Sequence, residues 1–377
     1  MIFSKPKSYL GVDLGAGGIK VVELKQVKKR PMLFTYGYTS DLQNVHQLFV
    51  IEKNNNIENL TAERKTQPTV PVIDPTQVKK YADLLKAICV NAKVVSKIAS
   101  VSLPVSVIFH AVINLPPLKK EEFDKVLRAE IKKLLPRPIE DMVLDYQIVG
   151  PNSQAKTQRV LVNAVPKELV MFYTEVFKSA GMVLDSLEPE SVALERSLIG
   201  RDQSVAMIID MGAERTNFYI IDQSFAITHH SIEVGGERIS KILVNLLGIE
   251  EDLVEQLKYD YFDNILRKDG QLKMSKEKFS EIFMPVIDPI VKEIEYSFEL
   301  YMKQAGNEEK KPEKIILTGG ASLMPFLSEH ITEKFNIKCY VGDPWGRVVY
   351  QDGIKPLLNK IGPRMSVAIG LALRKLV

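Results

Sequence analysis

The sequence predicts an α/β protein of two lobes, each built around one copy of the same acidic hairpin. Three observations carry this. Strand-like and helix-like segments mix along all 377 residues, a length that divides into two or more domains. Tyr9 to Lys25, YLGVDLGAGGIKVVELK, reads as strand, glycine turn, strand. Val205 to Asp222, VAMIIDMGAERTNFYIID, repeats that grammar, with its aspartate 197 positions further on (210 − 13).

In the first copy Asp13 ends an apolar run, Gly15, Gly17 and Gly18 make a turn, and Lys20 follows. Ile19 to Leu24 is β-branched and apolar, so the chain leaves the turn as a second strand. Glycines let an anion approach backbone N–H groups closely. Lys20 suits a phosphate as a point charge, and Asp13 suits a Mg²⁺ carrying the same phosphates. A dinucleotide fingerprint would place a helix after the glycines. A Walker loop requires Gly-Lys-Ser/Thr, which the segment lacks. The plain alternative is a hairpin turn whose aspartate bonds its own backbone. The second copy offers Asp210, Gly212 and Thr216 in the same order, and two such hairpins facing one another would grip a Mg-nucleotide between two lobes.

Composition excludes several classes. Hydrophobic residues at 45% and charged residues at 26% describe an ordinary globular protein. Fifty basic against 47 acidic residues is too even a balance to argue for nucleic acid. Clusters such as Lys25–Arg30 read as solvated faces, with contact to an anionic membrane surface the weaker alternative. Cys89 and Cys339 lie far apart without a CxxC, which fits a reducing compartment. The adjacent His229 and His230 do not suit a metal site on a helix. No run of ~18 apolar residues spans a membrane, and the start lacks a signal core, so a cytoplasmic location is expected.

The elements follow in order. Met32–Thr39 reads as a third strand, and the polar Glu52–Thr69 as a surface insertion. Asp74 and Thr76 open a helix with Val78, Tyr81, Leu84, Leu85 and Ile88 on one face. Lys97–Leu103 and Val105–Leu115 read as strands parted by Pro104. Lys119–Leu135 is an amphipathic helix, and Val143–Val149 and Arg159–Val165 are strands. Helices run from Pro166 to about Gly181 and from Pro189 to about Ile199. The second hairpin, the strand Phe225–Glu233 and the turn Gly235–Gly236 lead into helix from Glu237 to about Gly270, then from Lys276 to about Ala305. A strand at Lys314–Leu317, the turn Thr318–Ser322, a helix at Met324–Lys334, a strand at Lys338–Val341 and a helix from Met365 close the chain.

With these motifs placed, the chain resembles the actin, chaperone and sugar-kinase ATPases over nearly its whole length. Asp13 to Lys20 resembles their first phosphate loop and Asp210 to Thr216 their second. The resemblance implies ATP and Mg²⁺ as ligands, with Asp13 and Asp210 toward the metal and Gly235–Gly236 beside the nucleotide. Glu190 stands where the family carries a group that positions the attacking water. Gly319, Gly320 and Ser322 correspond to the adenosine loop, Glu255 and Lys258 to the ribose and base contacts, and Ala368–Gly370 to the second connecting helix. Glu190 also sits in the first turn after Pro189, where an acid favours the helix dipole without any chemistry. The second loop departs from the family by carrying the bulky Glu214 and Arg215, which argues against efficient hydrolysis more than against binding.

Within that superfamily, LPPLKKEEFDKVLRAEIKKLLPRPIEDMVLDYQIV resembles the PilM family of actin-like type IV pilus assembly proteins, in a subdomain placed as in the division protein FtsA. This implies an actin-like (ribonuclease H-like) two-lobed α/β fold with an inserted subdomain. The expected divisions are residues 1–75, completed by about 166–200 and 365–377, for the first subdomain. Residues 76–165 form the inserted one, and 201–364 the second lobe, with a helical part at about 245–312. The resemblance further implies a scaffold that docks the N-terminal cytoplasmic peptide of a bitopic inner-membrane partner, PilN, in a groove between the inserted and first subdomains. It implies contact with other pilus machinery and a place at the inner face of the inner membrane through that partner. An FtsA-like filament former would add a membrane-binding tail after the fold. A sugar-kinase-type phosphotransferase would need a substrate-side aspartate base, for which the second lobe offers no strong candidate.

Overall fold

The computed structural model describes residues 7–39, 74–116, 118–149, 158–248, 250, 275–304, 307–308 and 310–377. In the first lobe β1 (Ser8–Gly15), β2 (Gly18–Val27) and β3 (Arg30–Tyr38) form an antiparallel meander. β4 (Ile98–Leu103) and β8 (Val183–Pro189) add in parallel, giving the order β3-β2-β1-β4-β8. In the second lobe β9 (Ala206–Met211), β10 (Thr216–Asp222) and β11 (Phe225–Ile232) form the same meander. β12 (Lys314–Thr318) and β13 (Lys338–Val341) extend it in parallel, giving β11-β10-β9-β12-β13. Order and strand sense match position for position. The repeat seen in two hairpins therefore extends to two whole sheets.

Each sheet is covered on both faces, as strands this continuously apolar require. Leu10, Val12 and Leu14 of β1 pack with α1 (Pro75–Asn91) and α3 (Lys167–Ser179). The alternate residue Gly11 faces α8 (Lys355–Leu373), so closely that a Cβ there would stand 2.0 Å from the Ala368 carbonyl oxygen. In the second sheet Met207, Ile209 and Met211 pack with α5 (Gly236–Leu247), α6 (Lys276–Met302) and α7 (Leu327–Phe335). Ala206 and Ile208 turn the other way, onto α4 (Glu190–Leu194) and α8. These two helices lie between the sheets and touch where Gly370 meets the Ala193 backbone; a Cβ at Gly370 would fall 1.9 Å from the Ala193 oxygen.

Between β4 and α3 the chain builds a separate unit. Its strands β5 (Phe109–Leu115), β6 (Met142–Val149) and β7 (Gln158–Pro166) are ordered β5-β7-β6, with α2 (Lys120–Leu134) on one face. Phe123, Leu127 and Ile131 of α2 pack on Val160 and Val162.

Six expectations need correction. The insertion begins after Leu103, not at residue 76, because α1 and β4 complete the first lobe's core and sheet. Val105–Val107 is a single 3₁₀ turn after Pro104, so β5 starts at Phe109. β8 forms where no strand was expected; its polar Asp185, Ser186 and Glu188 hid an edge strand. Gly320–Leu323 is a 3₁₀ turn, and the helix expected from Met324 starts at Leu327. The last helix begins at Lys355, ten residues before Met365 (365 − 355), and carries Pro363 inside it. The stretch before that helix, placed in the second lobe by sequence, packs on the first: Trp345 joins Val22 and Leu24, and Leu33 N–H donates to the Val349 carbonyl at 2.9 Å. The helix after Gly236 ends at Gly248, whose φ of 65° is a left-handed stop, and its expected continuation lies outside the described residues.

Candidate nucleotide cleft

Both acidic hairpins open onto one solvent-accessible cleft. In the first, Asp13 pairs with Lys20 across the strands, and Gly15 pairs with Gly18 around a loop of Ala16 and Gly17. Lys20 Nζ lies 3.0 Å from Asp13 Oδ2, and Ser102 Oγ donates to Asp13 Oδ1 at 2.9 Å. Gly15 leaves room for that ammonium, since a Cβ there would sit 2.8 Å from Nζ. In the second, Asp210 occupies the equivalent position and pairs with Asn217. The offset is seven residues in both copies (20 − 13 and 217 − 210). The counterpart of Lys20 is therefore Asn217, not Thr216, and that equal spacing was legible in the sequence.

This difference sets the electrostatics. Asp13 has its own buried cation, whereas Asp210 has an amide. Burial, followed by the Asp13 charge, raises the Asp210 carboxyl to about 6, against Lys20 and an Asn217 hydrogen bond. Glu190, at the start of α4, is 8% exposed. Burial, then Asp13 and Asp210, hold it well above the ordinary carboxylate range, with the Val105 N–H donating to it at 3.4 Å. Three carboxylates thus face one cleft, with the Lys20 ammonium bonded to Asp13, an arrangement that calls for added positive charge.

Of the residues predicted from sequence, Asp13, Gly15, Gly17, Lys20, Glu190, Asp210, Gly212, Gly236, Gly319 and Gly320 line the cleft. Four do not. Gly18, with φ 100°, serves the hairpin turn against Thr39. Thr216 is fully buried and its hydroxyl donates to the Val234 carbonyl at 2.6 Å. Gly235 backs the Ala213 carbonyl, and Ser322 Oγ donates to the Gly319 carbonyl at 2.8 Å. Glu255 and Lys258 lie outside the described residues. Sequence reading missed Glu237 at the start of α5, and Pro363, Arg364 and Val367 of α8. Arg215, singled out as a departure in the second loop, pairs with Glu233 at 2.7 Å at the cleft's edge.

The donors suit a magnesium nucleotide. The side chains at the cleft's centre offer hard oxygens, which match Mg²⁺. Among the described residues no three carboxylate, imidazole or thiol groups gather closely enough to enclose a metal. A cation here would complete its shell with water and phosphate oxygens, as Mg²⁺ does in nucleotide sites. Gly319 carries φ 85° and lies so close to Asp210 that a Cβ would meet Oδ1 at 2.5 Å, leaving bare backbone on that wall.

Two sheets of matched topology, with facing acidic hairpins and two helices between them, define an actin-like protein. Its fold matches that of a PilM–PilN type IV pilus biogenesis complex, with a TM-score of 0.74 at 20% identity over 99% of this chain and 100% of the other. MreB 5 of Spiroplasma citri bound to AMPPNP matches with a TM-score of 0.50 at 12% identity, over 99% and 97%. A family model for the type IV pilus assembly protein PilM matches residues 11–376, and the chain belongs to that family. Among curated relatives, the cell division protein FtsA of Enterococcus faecalis is 25% identical over 203 residues, 48% of this chain and 44% of that one. FtsA of Borreliella burgdorferi is 23% identical over 209 residues, 52% and 49%. The chain spans about half the length of these curated relatives.

Proposed function

We propose that this protein binds ATP with Mg²⁺ between its lobes and serves type IV pilus assembly as a scaffold. It docks the N-terminal cytoplasmic peptide of a PilN-like inner-membrane protein in a groove between the inserted and first subdomains. The observation that carries the nucleotide half is the convergence of Asp13, Asp210 and Glu190 on one cleft walled by Gly15, Gly17, Gly319 and Gly320. Lys20 and the loop amides at Gly15 and Gly17 hold phosphate oxygens. Asp13 and Asp210 would hold the cation, which supplies positive charge beside the phosphates. Bound there, Mg²⁺ would neutralise phosphate charge and the three carboxylates together. Burial and two neighbouring acids, Asp13 and Asp210, oppose charge on Glu190 in the free protein. Hydrolysis is slow and binding is the main activity in this reading, because the bulky Glu214 and Arg215 of the second loop line the cleft.

Family membership and the 0.74 fold match to a PilM–PilN complex support the partner half. Among the described residues no helix is long and apolar enough to cross a membrane, so membrane attachment runs through the partner in this reading. An extended peptide in a groove gains main-chain hydrogen bonds and a few anchor pockets. The test is calorimetric titration of the full chain with ATP, with and without Mg²⁺, and with a synthetic N-terminal PilN peptide. Cation-dependent nucleotide binding and saturable peptide binding are expected. Heat-silent titrations at millimolar nucleotide would overturn the cleft assignment.

A further inference from the structure

The inserted unit belongs to the first lobe by chain connectivity, yet its sheet lies against the second. Alternation separates its two faces. Val160 and Val162 face α2, whereas Leu161 and Val149 join the second lobe's core beside Ile227 and Tyr301, with Val112 packed on them. Register aligns His110 of β5 with Asn163 of β7 on that same second face. There the His110 ring stands 4.5 Å from the His229 ring of β11, while its Nδ1 lies 2.9 Å from Asn163 Oδ1. At the far end Arg159 donates to Gln304 Oε1 at 3.3 Å.

At the root the unit is tied to the first lobe. Ile108 and Val165, where the chain enters and leaves the unit, sit in that lobe's core. Arg137 pairs with Glu168, in the first turn of α3 directly after Pro166. β7, with nine residues, runs roughly 26 Å from that root to its far end, and contact with the second lobe continues to Arg159. A sheet anchored at one end and laid along a packed face follows the face, because sliding would expose Leu161 and Val149 to water.

We infer that the inserted subdomain rides with the second lobe and pivots about Ile108 and Val165. Closure of the cleft on a magnesium nucleotide therefore moves it relative to α1 of the first lobe. Nucleotide state would in this way reshape the groove between the inserted and first subdomains, where the partner peptide docks; this rests on the cleft being the nucleotide site.

The experiment labels pairs of exposed sites in the full chain. Lys80→Cys marks α1, Ala129→Cys marks α2 and Glu329→Cys marks α7, in a Cys89→Ala, Cys339→Ala background. Spin-label distances are measured with Mg²⁺ alone and with Mg²⁺ plus AMPPNP, and nucleotide binding is titrated on the same samples. The expected result is a shifted 80–129 distance with the 129–329 distance unchanged. Bound nucleotide with a fixed 80–129 distance, or a shifted 129–329 distance, overturns the inference and leaves the nucleotide site standing. Absence of AMPPNP binding instead overturns the cleft assignment, and the inference with it.

Discussion

Gly17 and Ala213 meet across the cleft: a Cβ placed on Gly17 would stand 3.2 Å from the Ala213 Cβ. The two acidic hairpins therefore touch at their tips, and any larger side chain at residue 17 wedges them apart. Gly17→Val should weaken Mg-nucleotide binding about tenfold or more, a cost of about 1.4 kcal/mol, with little change in unfolding. Its neighbour separates fold from function. Gly18 has φ 100°, and a Cβ there would lie 2.3 Å from the Thr39 carbonyl oxygen. Gly18→Ala should lower stability by at least ~1–2 kcal/mol in urea titration. Equal effects of the two variants on nucleotide affinity and on unfolding would refute this division of labour.

Asp210→Asn should stabilise the free protein while abolishing cation-dependent binding. Its carboxyl, raised from 3.8 to about 6 by burial and then by Asp13, stabilises the fold fully below 3.8. That contribution is lost as pH rises through about 6. Two pKa units correspond to roughly 3 kcal/mol, which the side chain's partial contact with water cuts to about 1–2 kcal/mol. A gain of a few degrees in Tm is expected at pH 7.5 and none at pH 4. A variant less stable than the parent at pH 7.5 would contradict the assignment.

The Lys20–Asp13 pair is the buried counterweight to this repulsion, with side chains 13% and 7% exposed. Among the described residues, removing the cation leaves Asp13 with the Ser102 hydroxyl as its side-chain partner, so Lys20→Ala should cost about 3–5 kcal/mol. Adding Asp13→Asn should recover a large part of that loss. A double-mutant cycle by chemical denaturation reads the coupling, and additivity of the two changes would show that the pair is not electrostatically linked.

The sequence made the hairpins legible because their signals are local: an apolar run, an acid, glycines and a β-branched return. Asp13 and Asp210 were found that way, the Gly319–Gly320 turn by its resemblance to an adenosine loop, and all four residues line the cleft. Thr216 was misplaced because position after the turn was matched rather than distance from the aspartate, and the hydrogen-bond register corrects it to Asn217. Pro363, Arg364 and Val367 left no local sign. They reach the cleft on a helix expected only from Met365, and tertiary packing brings its earlier turn over Gly319, whose N–H donates to the Pro363 carbonyl at 3.0 Å.

The interface between the inserted unit and the second lobe should loosen in mild acid. Burial, then His110 and His230, lower the His229 ring from 6.5 to about 3; burial likewise lowers His110, opposed by Asn163 and the Ala226 and Ile227 carbonyls. His230 is lowered too, though Glu293 at 2.9 Å pulls it back. A base whose folded value is depressed stabilises the fold above its unfolded value of 6.5, and that stability is lost as pH falls toward about 3. At pH 5 the loss from His229 is about 1–2 kcal/mol after allowance for its partial exposure. Asp210 gains stability over the same range, so the measurement belongs in an Asp210→Asn background. Hydrogen exchange should show β5 and β11 losing protection between pH 7 and pH 5, with the β1–β2 hairpin unchanged. His229→Gln should flatten that dependence, and a pH profile identical to the parent's would rule out a protonation-sensitive interface.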